Sequence, residues 1–209
     1  VFYTTRKGYV SGAADLADTI KGCFLGQAGD WCTTPAQSIN YASCHDNMTL
    51  LDRITRSTPG VSEEDRIRMN NLSAAIYMTA QGIPFLQAGE EMLRTKIDAS
   101  GGFVENSYNS PDSVNSIKWD TLEDETYQNV YNYYKGLIAF RKAHAALRLT
   151  NADDVNANIT SVDGLDENVL AFRINGGVNG ETSDGIFVIF NPNSTETCLL
   201  FTSDAADDL

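Results

Sequence analysis

Two short apolar runs, each followed by a long amphipathic segment, constrain the fold of this 209-residue chain more than any other feature. The run SINYASC (38–44) precedes a predicted helix over 62–81. The run GIPFLQAG (82–89) precedes a loop over 95–117 and then a predicted helix over 123–147. Two successive strand–helix units require parallel strands, because the helix returns the chain to the edge where the strand began.

Two parallel strands do not form a stable sheet alone, since both faces and both edges need cover. The chain begins VFYTTRKGYV, without an initiator Met or a signal peptide, and ends in FTSDAADDL. We therefore expect a piece of a longer protein, with the missing strands N-terminal to residue 1.

The two predicted helices have an apolar side and recognisable ends. Ser62 is a candidate N-cap, with Glu63 and Glu64 in the positively polarised first turn. The helix over 123–147 repeats apolar residues at helical spacing. We interpret its tyrosines as core residues whose hydroxyl groups reach the edge: Tyr127, Tyr131, Tyr133 and Tyr134.

The sequence changes character near residue 148, which we predict to be a domain boundary between 1–147 and 148–209. Short β-rich runs separated by Gly, Asn and Asp follow, and they are typical of an antiparallel sheet or sandwich. They are VNANITSVDG, NVLAFRING, DGIFVIFNPN and TCLLFTS.

Charge and hydropathy exclude two classes of partner. The chain carries 28 acidic and 15 basic residues, a net charge of −13, which repels nucleic acid and anionic membranes. It has no apolar run of about 18 residues, so we predict no membrane-spanning helix.

The four cysteines show no metal-binding spacing, and we expect no metal ligand set. Free thiols are one interpretation, and a Cys23–Cys32 disulfide in an oxidising compartment is the other. The lack of a disulfide pattern slightly favours a reducing cytoplasm, although the compartment is otherwise unknown.

The candidate site lies where the first predicted strand ends. His45 and Asp46 follow SINYASC, and Glu90 and Glu91 follow the second strand. Carboxyl ends of parallel strands meet at one edge, where the active sites of β/α barrels lie. Carboxylates in such a cleft are typical of glycoside hydrolysis. Two alternatives stay open: a loop-capping His–Asp pair, and an enzyme in which Asp46 and a glutamate form the acid pair.

Longer stretches carry a family resemblance. YASCHDNMTLLDRI (41–54) resembles the seventh-strand motif of the α-amylase superfamily, in its type I pullulanase form. GIPFLQAGEEMLRTK (82–96) resembles the eighth-strand motif, and ENSYNSPDSVNSIKWD (105–120) the loop after it. IAFRKAHAALRL (138–149) resembles the last barrel helix, and NVLAFRI and IFVIFNPNS the opening strands of the C-terminal β domain. Met48 and Leu51 depart from the pattern.

The resemblance implies an α/β fold. The last two strand–helix units of a (β/α)8 barrel would occupy 1–147, and part of an antiparallel β-sandwich domain would occupy 148–209. It also implies that the remainder of the same barrel is a partner of this chain.

The resemblance implies roles for individual residues. Asp46 matches the carboxylate that stabilises the transition state, and His45 the histidine that hydrogen-bonds the sugar at the cleavage point. Glu90 and Glu91 would brace the loop after the second strand. The remaining candidates would contact the glucan: Asn47, Tyr108, Asn109 and Asp112. A self-capped loop is the competing interpretation for the last three.

The implied function is a fragment of a retaining α-glucan debranching hydrolase that acts on α-1,6 links of pullulan, starch or glycogen. No segment matches the superfamily's nucleophile or acid/base motif, so we expect no activity from the chain alone. No cofactor is implied, although calcium stabilises many relatives. The alternatives are a non-catalytic glucan-binding remnant and an isoamylase-like or branching activity.

Overall fold

The computed structural model describes residues 5–197, which form a mixture of helices and short strands. The α-helices in this part are α1 (Ala17–Phe24), α2 (Leu50–Ser57), α3 (Glu63–Thr79), α4 (Asp112–Asn115), α5 (Glu125–Ala143) and α6 (Ala152–Asn158). The strands are β1 (Ile39–Asn40), β2 (Ile83–Pro84), β3 (Ile159–Ser161), β4 (Leu170–Asn175) and β5 (Gly185–Phe190). None of the helices in residues 5–197 combines the length and apolar content needed to cross a membrane.

Strands β1 and β2 form the predicted parallel pair. Ile39 lies beside Ile83, and the N–H of Ile83 donates to the Ser38 carbonyl at 2.9 Å. The N–H of Phe85 donates to the Asn40 carbonyl at 2.8 Å and extends the ladder. Each strand has only two residues, so the regular pairing is much shorter than 38–44 and 82–89.

One face of this parallel pair is exposed, and the prediction of two buried strands is wrong in this respect. Ile39, Tyr41, Ile83 and Phe85 alternate along the two segments and therefore share a face. They are 59%, 55%, 47% and 44% exposed. The alternation itself predicts a face that needs cover, but no part of residues 5–197 buries it.

Helix α3 begins as predicted and ends earlier. The Ser62 hydroxyl accepts a hydrogen bond from the N–H of Asp65 at 3.1 Å, which confirms the N-cap. The helix ends at Thr79, with Ala80 already extended. A further helix, α2, precedes it and is capped by Thr49, whereas the sequence predicted no helix between 44 and 62. It belongs to the strand–turn–helix connection that carries the candidate site.

The helix predicted over 123–147 is interrupted. Helix α5 begins after its N-cap Asp124 and ends at Ala143, because His144 has an extended backbone. A separate 3-10 turn, Ala145–Arg148, follows. Only Tyr134 among the tyrosines of this helix is fully buried, and Tyr131 and Tyr133 are exposed, so the core interpretation was wrong for these two.

The predicted antiparallel sheet is present, with strand order β3–β4–β5. The first part of VNANITSVDG is helical instead, because the Asn151 side chain caps α6 by accepting from the N–H of Asp154 at 2.7 Å. The run TCLLFTS begins at the last described residue, Thr197, and otherwise lies outside the described residues.

A shared core joins the C-terminal sheet to the preceding helices. The Phe24 ring of α1 stacks on Phe172 of β4, with ring centroids 4.0 Å apart. Phe190 of β5 completes the aromatic group. The buried Gln81 side chain links the segments further, since it donates to the Ala146 carbonyl and accepts from the N–H of Leu149, both at 2.9 Å.

Candidate active site

The predicted triplet His45–Asp46–Asn47 forms a turn between β1 and α2. Asn47 has a φ of 62°, a left-handed conformation that asparagine adopts more readily than most residues. Two residues later Thr49 starts α2, with its hydroxyl accepting from the N–H of Asp52 at 3.2 Å. The local sequence thus presents a His–Asp pair on a strand-to-helix turn, where side chains can reach a ligand.

The His45 and Asp46 side chains point into solvent. Their exposed fractions are 88% and 71%, and Nε2 of His45 lies 3.6 Å from Oδ2 of Asp46. An exposed pair of this kind adds little to stability. Neither side chain bonds to a main-chain group within residues 5–197, so the structure gives the loop-capping interpretation no support. Both groups remain available to a ligand.

Asp46 and Asn47 line an open cleft together with charged residues that the sequence analysis missed. Arg53, one turn into α2, and Glu105, in the middle of the long loop, form part of the wall. Tyr41, from the exposed face of the parallel pair, forms another part. Planar and charged groups of this kind suit sugar rings and hydroxyls. No sequence pattern singled out Arg53 or Glu105.

Glu90 lies beneath the site in a network of hydroxyl groups. Its Oε1 accepts hydrogen bonds from Tyr77 at 2.6 Å and from Tyr134 at 3.1 Å. Its Oε2 accepts one from Ser43 at 2.6 Å. The network ties the segment after β2 to helices α3 and α5 and to the segment after β1. Glu90 is therefore placed to brace the strand ends.

Burial dominates the electrostatics of this carboxyl group and raises the pKa of Glu90 above its ordinary value. The three hydroxyl donors act in the opposite direction. Within residues 5–197 neither Glu90 nor Glu91 bonds to Asp46. Glu91 instead accepts from the N–H of Gly89 at 2.9 Å. The geometry does not assemble the acid pair of the alternative interpretation.

The other three predicted glucan contacts lie on an exposed loop. Tyr108 is 82% exposed, and Asn109 is exposed beside it. Asp112 is exposed and begins α4, and its carbonyl accepts from the N–H of Ser116 at 3.0 Å. No hydrogen bond or ion pair within residues 5–197 connects these three to the His45–Asp46–Asn47 turn.

The same loop is internally braced. The Asn115 side chain donates to the carbonyls of Ser107 and Ser110, at 2.6 and 3.1 Å. Arg94 donates to the Asn115 carbonyl at 2.6 Å and so fastens the loop to the segment after β2. The exposed tyrosine is thus carried on an ordered support.

A buried lysine lies under the turn, and nothing in the sequence pattern indicated it. Lys96 is 1% exposed, and its Nζ donates to the His45 carbonyl at 3.3 Å. Its main-chain N–H donates to the buried carboxylate of Asp52 at 2.8 Å. Burial lowers the pKa of Lys96, and the nearby carboxylates of Asp52 and Asp46 partly oppose this.

The described residues, 5–197, contain neither a metal-binding cluster nor a disulfide. No group of three or more His, Cys, Asp or Glu side chains in residues 5–197 is arranged to hold a metal ion. Cys23, Cys32 and Cys44 are free thiols, so the Cys23–Cys32 disulfide does not form.

Comparison with known proteins agrees with the resemblance. No protein-family model matches the chain. The pullulanase of Bacillus subtilis (strain 168) is 35% identical over 179 residues, covering 83% of this chain and 24% of that protein. The pullulanase structure from Bacillus acidopullulyticus has a TM-score of 0.90 at 38% identity, covering 97% of this chain and 24% of that one. This chain is pullulanase-like.

Two further proteins are also similar to this chain. The isoamylase of a Flavobacterium species is 28% identical over 206 residues, covering 78% of this chain and 26% of that protein. The pullulanase of Paenibacillus barengoltzii, solved in complex with maltohexaose and α-cyclodextrin, has a TM-score of 0.85 at 40% identity. It covers 92% of this chain and 29% of that one. The pullulanase-like chain thus spans about a quarter of each relative's length.

Proposed function

We propose that this pullulanase-like chain is the part of a retaining α-glucan debranching hydrolase that holds the sugar at the cleavage point. The observation that carries the proposal is the exposed His45–Asp46 pair at the carboxyl end of a parallel strand, within a chain similar to pullulanases over most of its length. Asp46 would stabilise the oxocarbenium-like transition state, and His45 would hydrogen-bond the sugar hydroxyls.

The proposed substrates are the α-1,6 links of pullulan, starch or glycogen. The names of the relatives support this class, and so does the maltohexaose complex of the Paenibacillus barengoltzii enzyme. Asn47 and the exposed loop residues would supply further glucan contacts: Tyr108, Asn109 and Asp112. Glu90 and Glu91 would brace the loop beneath them.

We further propose the finer fold. Residues 1–147 would be the last two strand–helix units of a (β/α)8 barrel, and 148–209 part of an antiparallel β-sandwich. The parallel pairing of β1 with β2 and the exposed apolar face support the first part. The three-stranded antiparallel sheet supports the second.

The chain alone would be inactive, because no segment of it matches the superfamily's nucleophile or acid/base motif. A retaining mechanism needs both groups, about 5–5.5 Å apart. The proposed chemistry needs no cofactor, and calcium would act only as a stabiliser. The partner that completes the site would be the rest of the barrel.

The test is Asp46→Asn in the complete protein that carries this segment. We expect kcat on pullulan to fall by a factor on the order of 100 or more, with circular dichroism and thermal midpoint unchanged. Asp163→Asn, an exposed aspartate in the C-terminal region, is the matched control and should leave kcat unchanged. The 209-residue chain should release no reducing sugar.

Other results would overturn the proposal. Full kcat in Asp46→Asn would remove Asp46 from the mechanism. Saccharide binding without hydrolysis, in the complete wild-type protein, would favour the glucan-binding remnant. Hydrolysis by the 209-residue chain would show that its own carboxylates suffice.

An isoamylase-like activity is the second candidate, and the Flavobacterium isoamylase match favours it. Comparing kcat/KM on pullulan with kcat/KM on glycogen separates the two. Preference for pullulan supports the pullulanase-type assignment, and preference for glycogen supports the isoamylase type. A change in average chain length without release of reducing ends would indicate branching activity.

A further inference from the structure

The main chain of the His45–Asp46–Asn47 turn has few anchors. In the described part of the chain, no main-chain group of residues 42–48 bonds to another main-chain group. The hydrogen bond from Nζ of Lys96 to the His45 carbonyl is the anchor that the turn's own backbone receives there. The position of the turn therefore depends on Lys96 more than on regular secondary structure.

Lys96 is itself held firmly on both sides. Its N–H donates to Oδ2 of Asp52 at 2.8 Å, and its carbonyl accepts from the N–H of Val104 at 2.8 Å. Asp52 lies in the first turn of α2, directly after the turn. One residue thus links the start of the turn, through the His45 carbonyl, to the helix that follows it.

Burying the positive charge of Lys96 costs free energy, because the charge loses contact with water. Lys96 as a residue is 1% exposed, so its ammonium group loses hydration, and packing alone would be served better by an apolar side chain. The charged and titratable groups that face it are Asp46, Asp52, Cys44 and Arg94. The attraction to the two carboxylates, one of them in the candidate site, offsets part of the cost.

We propose that Lys96 is the positioning residue of the His45–Asp46–Asn47 turn, holding the His45 carbonyl by a hydrogen bond and the Asp46 carboxylate by its charge. It touches no substrate and acts through Asp46. The structural part of the inference stands alone, whereas its catalytic consequence rests on the proposed function. Misplacement of a catalytic group by about 1 Å can cost on the order of 100-fold in rate.

The first test is nuclear magnetic resonance of the 209-residue chain. In the wild type, the Lys96 ammonium protons should be visible near neutral pH, because a buried hydrogen-bonded group exchanges slowly with water. Exposed ammonium groups, such as that of Lys135, should be lost by exchange. A Lys96 signal that exchanges as fast as that of Lys135 would overturn the anchor without any mutation.

Two variants then test the effect on the turn. Lys96→Met removes the donor and the charge while keeping an unbranched side chain, and it should shift and broaden the amide signals of residues 45–47. Lys96→Arg keeps a donor and the charge, and it should restore these signals in part. Lys135→Met makes the same exchange at an exposed position without a hydrogen bond in the described residues, and it should leave them unchanged.

Unmoved amide signals at 45–47 in Lys96→Met would refute the proposal. If that variant does not fold, the wild-type ammonium signal and Lys96→Arg still decide the question. In the complete protein, Lys96→Met should lower kcat on pullulan about tenfold to 100-fold with a smaller change in KM. If Lys96→Met displaces the turn but the complete wild-type protein does not hydrolyse glucan, only the proposed function is refuted. If the turn does not move but the complete protein is an active hydrolase, only the anchoring role of Lys96 is refuted.

Discussion

Replacing Glu90 with glutamine and with alanine separates the two things this residue does, which are to accept hydrogen bonds and to carry a buried charge. The carboxylate accepts from Tyr77, Tyr134 and Ser43. In Glu90→Gln, the remaining oxygen can accept from both tyrosines. The new amide can donate to the Ser43 hydroxyl, which already donates to the side-chain oxygen of Gln87 at 3.1 Å.

Glu90→Ala removes these acceptors. The Tyr77 and Tyr134 hydroxyls lose the partner to which they donate, while Ser43 keeps Gln87. A buried donor without a partner costs about 1–3 kcal/mol, so two cost about 2–6 kcal/mol before the cavity is counted. We expect the free energy of unfolding of Glu90→Ala to fall by about that amount.

The stability of both variants relative to wild type should also change with pH. Because burial raises the pKa of Glu90 in the folded chain, folding favours the protonated carboxyl group. The stabilisation that the protonated Glu90 provides is fully present below its unfolded-state pKa of about 4.5. It is lost as the pH rises through the pKa of the folded state. Glutamine does not titrate, so the stability of Glu90→Gln relative to wild type should increase from pH 4.5 to pH 8.

Urea unfolding followed by fluorescence, at several pH values between about 4 and 8, measures both effects. The free energy of unfolding of both variants should rise relative to wild type as the pH increases, and Glu90→Ala should stay below Glu90→Gln across the range. The reasoning is refuted if Glu90→Gln is as unstable as Glu90→Ala at pH 8. That result would mean that the ionised carboxylate is a net source of stability.

Two substitutions test the junction with the C-terminal sheet. Glu181→Gln should destabilise the chain near neutral pH, because hydrogen bonds, first from the Ser183 main chain, lower the pKa of Glu181 to about 2. Urea titrations should show the deficit shrinking as the pH falls from 4.5 towards about 2, whereas a pH-independent deficit would contradict this cause. Phe24→Ala should lower the free energy of unfolding by about 3–5 kcal/mol in denaturant titrations, since the ring is fully buried and stacked on Phe172. A loss below about 1 kcal/mol would show that the stack contributes little.

Periodicity and capping signals predicted those parts of the fold that are decided locally. Ser62 caps α3 as expected, and the alternating runs around Phe172 and Phe187 form antiparallel strands. The failures arose where a local signal was ambiguous. Thr49 and Asn151 both begin helices, but these have only 8 and 7 residues, which is shorter than the window over which helical periodicity is reliable, so the segments were treated as loop and strand.

Only the exposed residues of the candidate site could be predicted from the sequence. His45 and Asp46 were found because a rare histidine beside a carboxylate stands out at a strand end. Lys96 was not, because a lysine in a polar loop is normally solvated, and its burial is created by contacts with Asp52 and His45, which lie 44 and 51 positions earlier in the chain. Burial of a long polar side chain is a property of the tertiary structure, which no local pattern encodes.

The exposed face of the parallel pair and the cleft at the candidate site share one residue, Tyr41. Tyr41 belongs to that face and also to the cleft that holds Asp46, and its ring contacts Phe85 edge-on at 5.9 Å. Burying the exposed part of such a side chain is worth roughly 1 kcal/mol. A segment that covers Ile39 and Ile83 would therefore stabilise the chain, and it would also lie beside the cleft, because Tyr41 belongs to both. We expect added strands that bury this face to raise the stability of the chain and to change the cleft around Asp46 at the same time, so that mutating Tyr41 alone cannot separate the two effects.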